Sequence, residues 1–106
     1  MWKVISKDEC IDIMELLNGE CVWVNIHTET VNIHRMFAEF EFLVFESGEW
    51  QFGHLEYDEE NEYQNIIIHS DDIQSIQRDE FAPTVGSEQV VLVMVDDVEI
   101  IVEINK

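Results

Sequence analysis

The sequence predicts a mainly β, α+β fold: one N-terminal helix plus about six or seven antiparallel strands forming a strongly bent sheet or small barrel. Three observations carry this. The hydrophobic period is helical up to Leu17 and switches to two after Gly19. The apolar runs are short and separated by turn residues at Asn18-Gly19, Ser47-Gly48 and Asp96-Asp97, a pattern of hairpin-linked strands. The chain has 106 residues, is 46 % hydrophobic and holds only four glycines and one proline. It can therefore bury one core, and it has no flexible joint to divide two. Residues 1–106 read as a single acidic domain.

Residues 2–6 form a short strand or lead-in. Ser6 followed by Glu9 matches a capping box, which satisfies orphan amides at a helix start. Cys10, Ile13, Met14 and Leu17 then share one helical face, and Asn18-Gly19 supplies a left-handed stop. The spacing predicts a helix over 7–17. Val22, Val24 and Ile26 alternate with Cys21, Trp23, Asn25 and His27 as a strand. Val31 and Ile33 continue beyond a tight turn at Glu29-Thr30. Residues 36–46 form one long β-type run rich in Phe.

Ser47-Gly48 turns the chain into a strand with Trp50, Phe52, Leu55 and Tyr57, whose phase slip suggests a bulge near Gly53. Residues 58–64 are a polar loop. Ile66, Ile67 and Ile68 make a short buried strand. Ile73 and Ile76, three apart, suggest a 3₁₀ turn or a kinked strand. Residues 79–88 hold Pro83 and Gly86 and form a surface loop. In the last hairpin Val91, Val93 and Val95 oppose Val98, Ile100 and Val102 across Asp96-Asp97. The expected core includes Val22, Val24, Ile26, Phe40, Phe42, Val91, Val93, Ile100 and Val102.

Charge narrows function more than any motif does. Asp plus Glu number 24 against five Lys plus Arg, for a formal net charge of -19. Direct binding of nucleic acid or of an anionic membrane is excluded on this count, since both are held by basic side chains. Eleven acids and no Lys or Arg lie between Arg35 and Arg78, and seven more between Arg78 and Lys106. The carboxylates thus have few partners, and their mutual repulsion opposes the compact state.

The N-terminus lacks the apolar stretch of a secretory signal, and the apolar run from Val90 to Val95 is far short of the roughly 20 residues of a spanning helix. The expected compartment is the cytoplasm, with Cys10 and Cys21 as free thiols. There is no phosphate-binding glycine loop, nucleophile elbow or HExxH motif, and an enzyme is not expected. No cofactor is expected either. His27 and His34 would be diagonal neighbours across the Glu29-Thr30 turn, but no tight ligand spacing completes a metal site.

The remaining chemistry is that of the acids. Glu39 and Glu41 would share a strand face about 6.8 Å apart. Asp58, Glu59, Glu60 and Glu62 form a dense loop cluster, joined by Asp71, Asp72, Asp79 and Glu80. Glu99 and Glu103 share one face of the last hairpin. Tyr63, Tyr57 and Trp50 are aromatic anchors among the acids. In size, charge and lack of catalytic signature the whole chain resembles small acidic inhibitors encoded by phages and other mobile elements: DNA-mimic proteins, anti-CRISPR proteins and acidic immunity proteins that neutralise nuclease toxins. That resemblance rests on no motif and transfers no residue.

It implies a non-enzymatic inhibitor acting as a nucleic-acid mimic that blocks the basic groove of a nucleic-acid-binding protein or nuclease. The alternative is a small β-barrel interaction or scaffold module, a homodimer included, whose acidity serves only solubility. Its contact would be an apolar edge such as the even face of residues 36–44.

Overall fold

The computed structural model describes residues 2–54, 64–79 and 89–104. Among these the fold is mainly β with one helix. The strands are β1 (Trp2–Val4), β2 (Val22–His27), β3 (Asn32–Phe37), β4 (Glu41–Val44), β5 (Glu49–His54), β6 (Gln64–His69), β7 (Ile73–Asp79), β8 (Gln89–Met94) and β9 (Glu99–Ile104). The helix α1 spans Lys7–Leu16 between β1 and β2.

The mainly β, α+β class is as expected; the strands form two antiparallel sheets, and no closed barrel forms among the described residues. Six strands lie in the order β1-β7-β8-β9-β2-β3, and three more in the order β4-β5-β6. The small sheet is thus an excursion between β3, at one edge of the large sheet, and β7, beside the other edge. The strand count exceeds the expected six or seven because residues 2–4 and 73–79, the expected lead-in and 3₁₀ turn or kinked strand, both pair as strands of the large sheet. The Phe-rich run 36–46 is not one strand. β3 ends at Phe37, Ala38 and Glu39 turn, and β4 begins at Glu41 in the other sheet.

Burial explains that break. Phe37 and Phe40 are both buried, at 4 % and 0 % exposure. A regular strand would send residues three apart to opposite faces, so an intervening turn is needed to bring both inside. The rings then link the sheets: Phe37 meets Phe40 at 6.5 Å, Phe40 meets Phe52 at 6.2 Å, and Phe42 packs edge-on against Trp50 at 5.6 Å. Aromatic pairs in this geometry contribute about 0.5–1.5 kcal/mol each beyond area burial. The expected even face of 36–44 is divided by the same turn. Phe40 and Phe42 are core, whereas Met36 and Val44 are exposed.

The helix follows its expected pattern. Ser6 Oγ accepts a hydrogen bond from the Glu9 amide at 3.1 Å. Cys10, Met14 and Leu17 are buried and Ile11 and Ile13 pack against the core. Gly19 takes φ +83°, a left-handed conformation that costs glycine nothing. Beyond the turn, Asn25 pairs with His34 and His27 with Asn32, as a two-residue Glu29-Thr30 turn requires. The Thr28 amide closes that turn on the Val31 carbonyl at 2.9 Å.

The last hairpin differs by one residue. Val93 pairs with Glu99, Leu92 with Ile100 and Val90 with Val102. The Met94 amide bonds to the Val98 carbonyl, so Val95–Asp97 form a three-residue loop with Asp96 and Asp97 both at positive φ. The buried residues are therefore Val90, Leu92 and Met94, while Val91 and Val93 are half-buried on the outer face. Residues 90–95 are apolar at both parities, so alternation cannot choose a face, and loop length decides.

Elsewhere, Ile73 and Ile76 both turn inward because the register shifts between Ile73 and Ser75. Ile66 and Ile68 pack against the core, but Ile67 is 56 % exposed and not buried as expected. Gly53 reaches φ +126°, yet the β5 ladder keeps its register through it. Of the expected loops 58–64 and 79–88, Gln64 begins β6 and Asp79 ends β7, while residues 58–63 and 80–88, with Leu55 and Tyr57, lie outside the described residues.

Candidate functional site

No charged or polar side chain is buried among the described residues. The described acids are therefore a surface feature, and the elements decide how they are arranged. The helix gives the most regular answer. Cys10, Met14 and Leu17 face the core, which leaves Asp8, Asp12 and Glu15 exposed on the opposite side. Helical rise sets them at intervals of about 6.0 and 4.5 Å along the axis. No basic residue occupies the last turn. These three residues escaped the sequence reading, although the same periodicity that buries Cys10 and Met14 places them in a row.

The helix end is fixed against the chain that leads into β4. The Gly19 amide donates to the Phe40 carbonyl at 2.7 Å, and the Phe40 amide to the Glu20 carbonyl at 3.0 Å. Asn18 Oδ1 accepts the Phe42 amide at 2.8 Å. These bonds lock the helix exit against the start of β4. Glu20 thereby sits beside Phe40, which Glu39 and Glu41 flank in sequence. Glu39 is exposed in the turn and Glu41 half-buried at the strand start. The expected shared strand face for Glu39 and Glu41 does not form, because the turn at Ala38 and Glu39 changes their directions.

Asp71 and Asp72 lie elsewhere. They occupy a 3₁₀ turn over Ser70–Asp72, joining β6 to β7. His69 ties this turn to the one before β5. Its Nδ1 accepts the Asp71 amide at 3.2 Å, and its Nε2 lies 3.0 Å from the Ser47 carbonyl. The two contacts together suit the neutral tautomer with the proton on Nε2. The Ser70 amide adds a bond to the Gly48 carbonyl at 2.8 Å. Asp79 is at the far end of β7, paired in register with Trp2. Glu41 and His69 mark opposite ends of the small sheet. The structure thus separates Glu39 with Glu41, Asp71 with Asp72, and Asp79 into three places. Asp58, Glu59, Glu60, Glu62, Tyr63 and Glu80 lie outside the described residues. Trp50, considered as an anchor, is 2 % exposed and belongs to the core.

Glu99 and Glu103 do share the outer face of β9, opposite His27 and Trp23. His34 on that face meets Trp23 in a tilted contact, with ring centroids 4.5 Å apart. Among the described residues no three His, Cys, Asp or Glu side chains gather in a metal-binding arrangement. Cys10 and Cys21 are free, and burial pushes the Cys10 thiol up to about 12, which leaves it protonated and unreactive near neutrality. No described helix is long and apolar enough to cross a membrane.

One surface feature is apolar. On the outer face of the small sheet, Leu43 pairs across to Gln51 and Gln51 to Ile67. Leu43, Phe45 and Ile67 are 50 %, 43 % and 56 % exposed. The neighbouring charges are carboxylates, from Glu41, Glu46 and Glu49.

No protein-family model, curated protein or solved structure matches this chain.

Proposed function

We propose that this is a non-enzymatic acidic binding protein, which imitates the charge of a nucleic acid and occupies the basic groove of a nucleic-acid-binding protein or nuclease. The observation that carries the reading is the row Asp8, Asp12 and Glu15 on the exposed face of α1. Each strand of a duplex carries one charge per 3.4 Å of axis. A rigid helix offers carboxylates at the same order of spacing, without the torsional freedom of a loop. Such a surface draws a Lys- and Arg-lined cleft from a distance and accelerates encounter. Inhibition follows from occupancy: the groove that holds the acids is closed to its nucleic acid.

A second reading is favoured by the exposed face of Leu43, Phe45 and Ile67. There the protein is an interaction module or a homodimer, and its charge serves solubility. One experiment separates the two. The immobilised protein is exposed to a lysate of its source cells and eluted in salt steps, then with duplex DNA or RNA. Retention of a basic nucleic-acid-binding protein, released by salt and by nucleic acid, supports mimicry. A partner indifferent to both favours the module.

A further inference from the structure

We infer that the outer face of the three-stranded sheet is a docking surface for a cationic amphipathic segment of a partner protein, one that carries Lys or Arg around apolar anchors. This rests on the reading of the chain as a binder of basic proteins, and it names where the desolvated contacts form. The sheet exists as a separate layer because the turn at Ala38 and Glu39 throws β4 out of the large sheet. Phe42, Trp50 and Phe52 are buried on its inner face, at 4 %, 2 % and 0 % exposure. Strand alternation then forces Leu43, Gln51 and Ile67 outward. Phe45 continues the outward set, since its amide still bonds to the Glu49 carbonyl at 2.9 Å. Leu43 and Ile67 stand two strand spacings apart, about 9.6 Å, with the Gln51 side chain between them. Gln51 Nε2 is held by Glu49 Oε1 at 2.7 Å.

Charge decides the occupant. From residue 36 to residue 77 there is no Lys or Arg. Among the described residues, every formal charge carried by the small sheet's own strands and turns is a carboxylate, from Glu41 and Glu49 on the face to Asp71 at its end. Apolar anchors ringed by acids fit a segment whose apolar side chains are ringed by bases. A second copy would bring the same carboxylates against themselves across a two-fold contact, and an anionic lipid surface would be repelled in the same way.

The test uses the whole chain and two fluorescent peptides of about fourteen residues. One is an amphipathic Leu/Lys helix. The other is a Lys/Ser peptide of equal charge with no apolar face. Titration by anisotropy at low salt is expected to show the Leu/Lys peptide binding at least tenfold more tightly. In the variant Leu43→Thr, Phe45→Thr and Ile67→Thr that preference should vanish, while Lys/Ser binding stays within twofold. Thr keeps strand propensity, and an unchanged denaturation midpoint confirms folding. A control variant, Val31→Thr and Met36→Thr, removes exposed apolar groups elsewhere and should keep the preference.

Equal binding of both peptides to the unaltered chain overturns the docking face and leaves the electrostatic reading standing. Persistence of the preference in the triple variant overturns it too. Failure of both peptides to bind at low salt rejects both this inference and the proposed function. A salt-insensitive dimer in sedimentation, abolished by the triple variant, overturns the cationic occupant in favour of a second copy.

Discussion

Two neighbouring valines in β8 test the register of the last hairpin. Val90 is 2 % exposed on the inner face, opposite Val102, and Val91 is half-buried on the outer face, opposite Ile101. Truncation to Ala removes the same two methyl groups from each, and the strand-propensity cost is common to both. At Val90 the transfer term alone is about 1.6 kcal/mol, at about 0.8 per buried carbon. The unfilled cavity raises this to roughly 2–3 kcal/mol. At Val91 the outer face loses about half the transfer term and no closed cavity forms, so the cost is about 0.8 kcal/mol. Urea denaturation of V90A and V91A, followed by tryptophan fluorescence, should show midpoints separated by roughly 1 M at an unchanged slope. A two-residue Asp96-Asp97 turn would reverse the order, because Val91 would then face the core. If V91A proves as costly as V90A, the three-residue loop is wrong.

Further outcomes follow from single contacts. Gly48 has φ +93°, and an added Cβ would meet the His69 ring at 3.0 Å, whereas Gly19 at φ +83° has nothing within 4 Å. Both Gly→Ala changes pay about 1–2 kcal/mol of left-handed strain, and thermal melting should show G48A as the more damaging. Asn18→Ala strands the Phe42 amide and should cost about 1–3 kcal/mol in the same assay. The buried Cys10 thiol sits well above its ordinary value of 9.0, at about 12. Its contribution to stability is complete below pH 9 and is lost as pH rises toward 12, because only the unfolded thiol ionises in that window. Mass mapping after alkylation at pH 8 should find Cys10 unmodified until denaturant is added.

Much of the fold was legible because its signals were local. The Ser6 cap, the Cys10-Met14-Leu17 face and the Gly19 stop each depend on a few adjacent residues, and all three hold. The β2–β3 register held because two polar turn residues separate two alternating strands. The failures share a different cause. Residues 36–46 carry apolar side chains at both parities and residues 90–95 at every position, so periodicity is silent there. A turn at Ala38 and Glu39 in one case, and a loop one residue longer in the other, set the geometry. Division into two sheets was not legible either, since it depends on Phe37 and Phe40 entering one core together. At the candidate site the sequence named acids by density in loops and runs. The most regular row, Asp8, Asp12 and Glu15, is dilute in sequence and becomes continuous only on the helix.

The most direct test of the charge-driven account is the salt dependence of binding to the captured partner. Affinity is measured between about 50 and 200 mM salt for the unaltered chain and for Asp8→Lys, Asp12→Lys and Glu15→Lys combined. The account predicts a steep fall with salt for the unaltered chain. It also predicts a large loss in the triple variant at low salt that shrinks as salt screens the charges. An equal loss at both salts, or none at either, would contradict it.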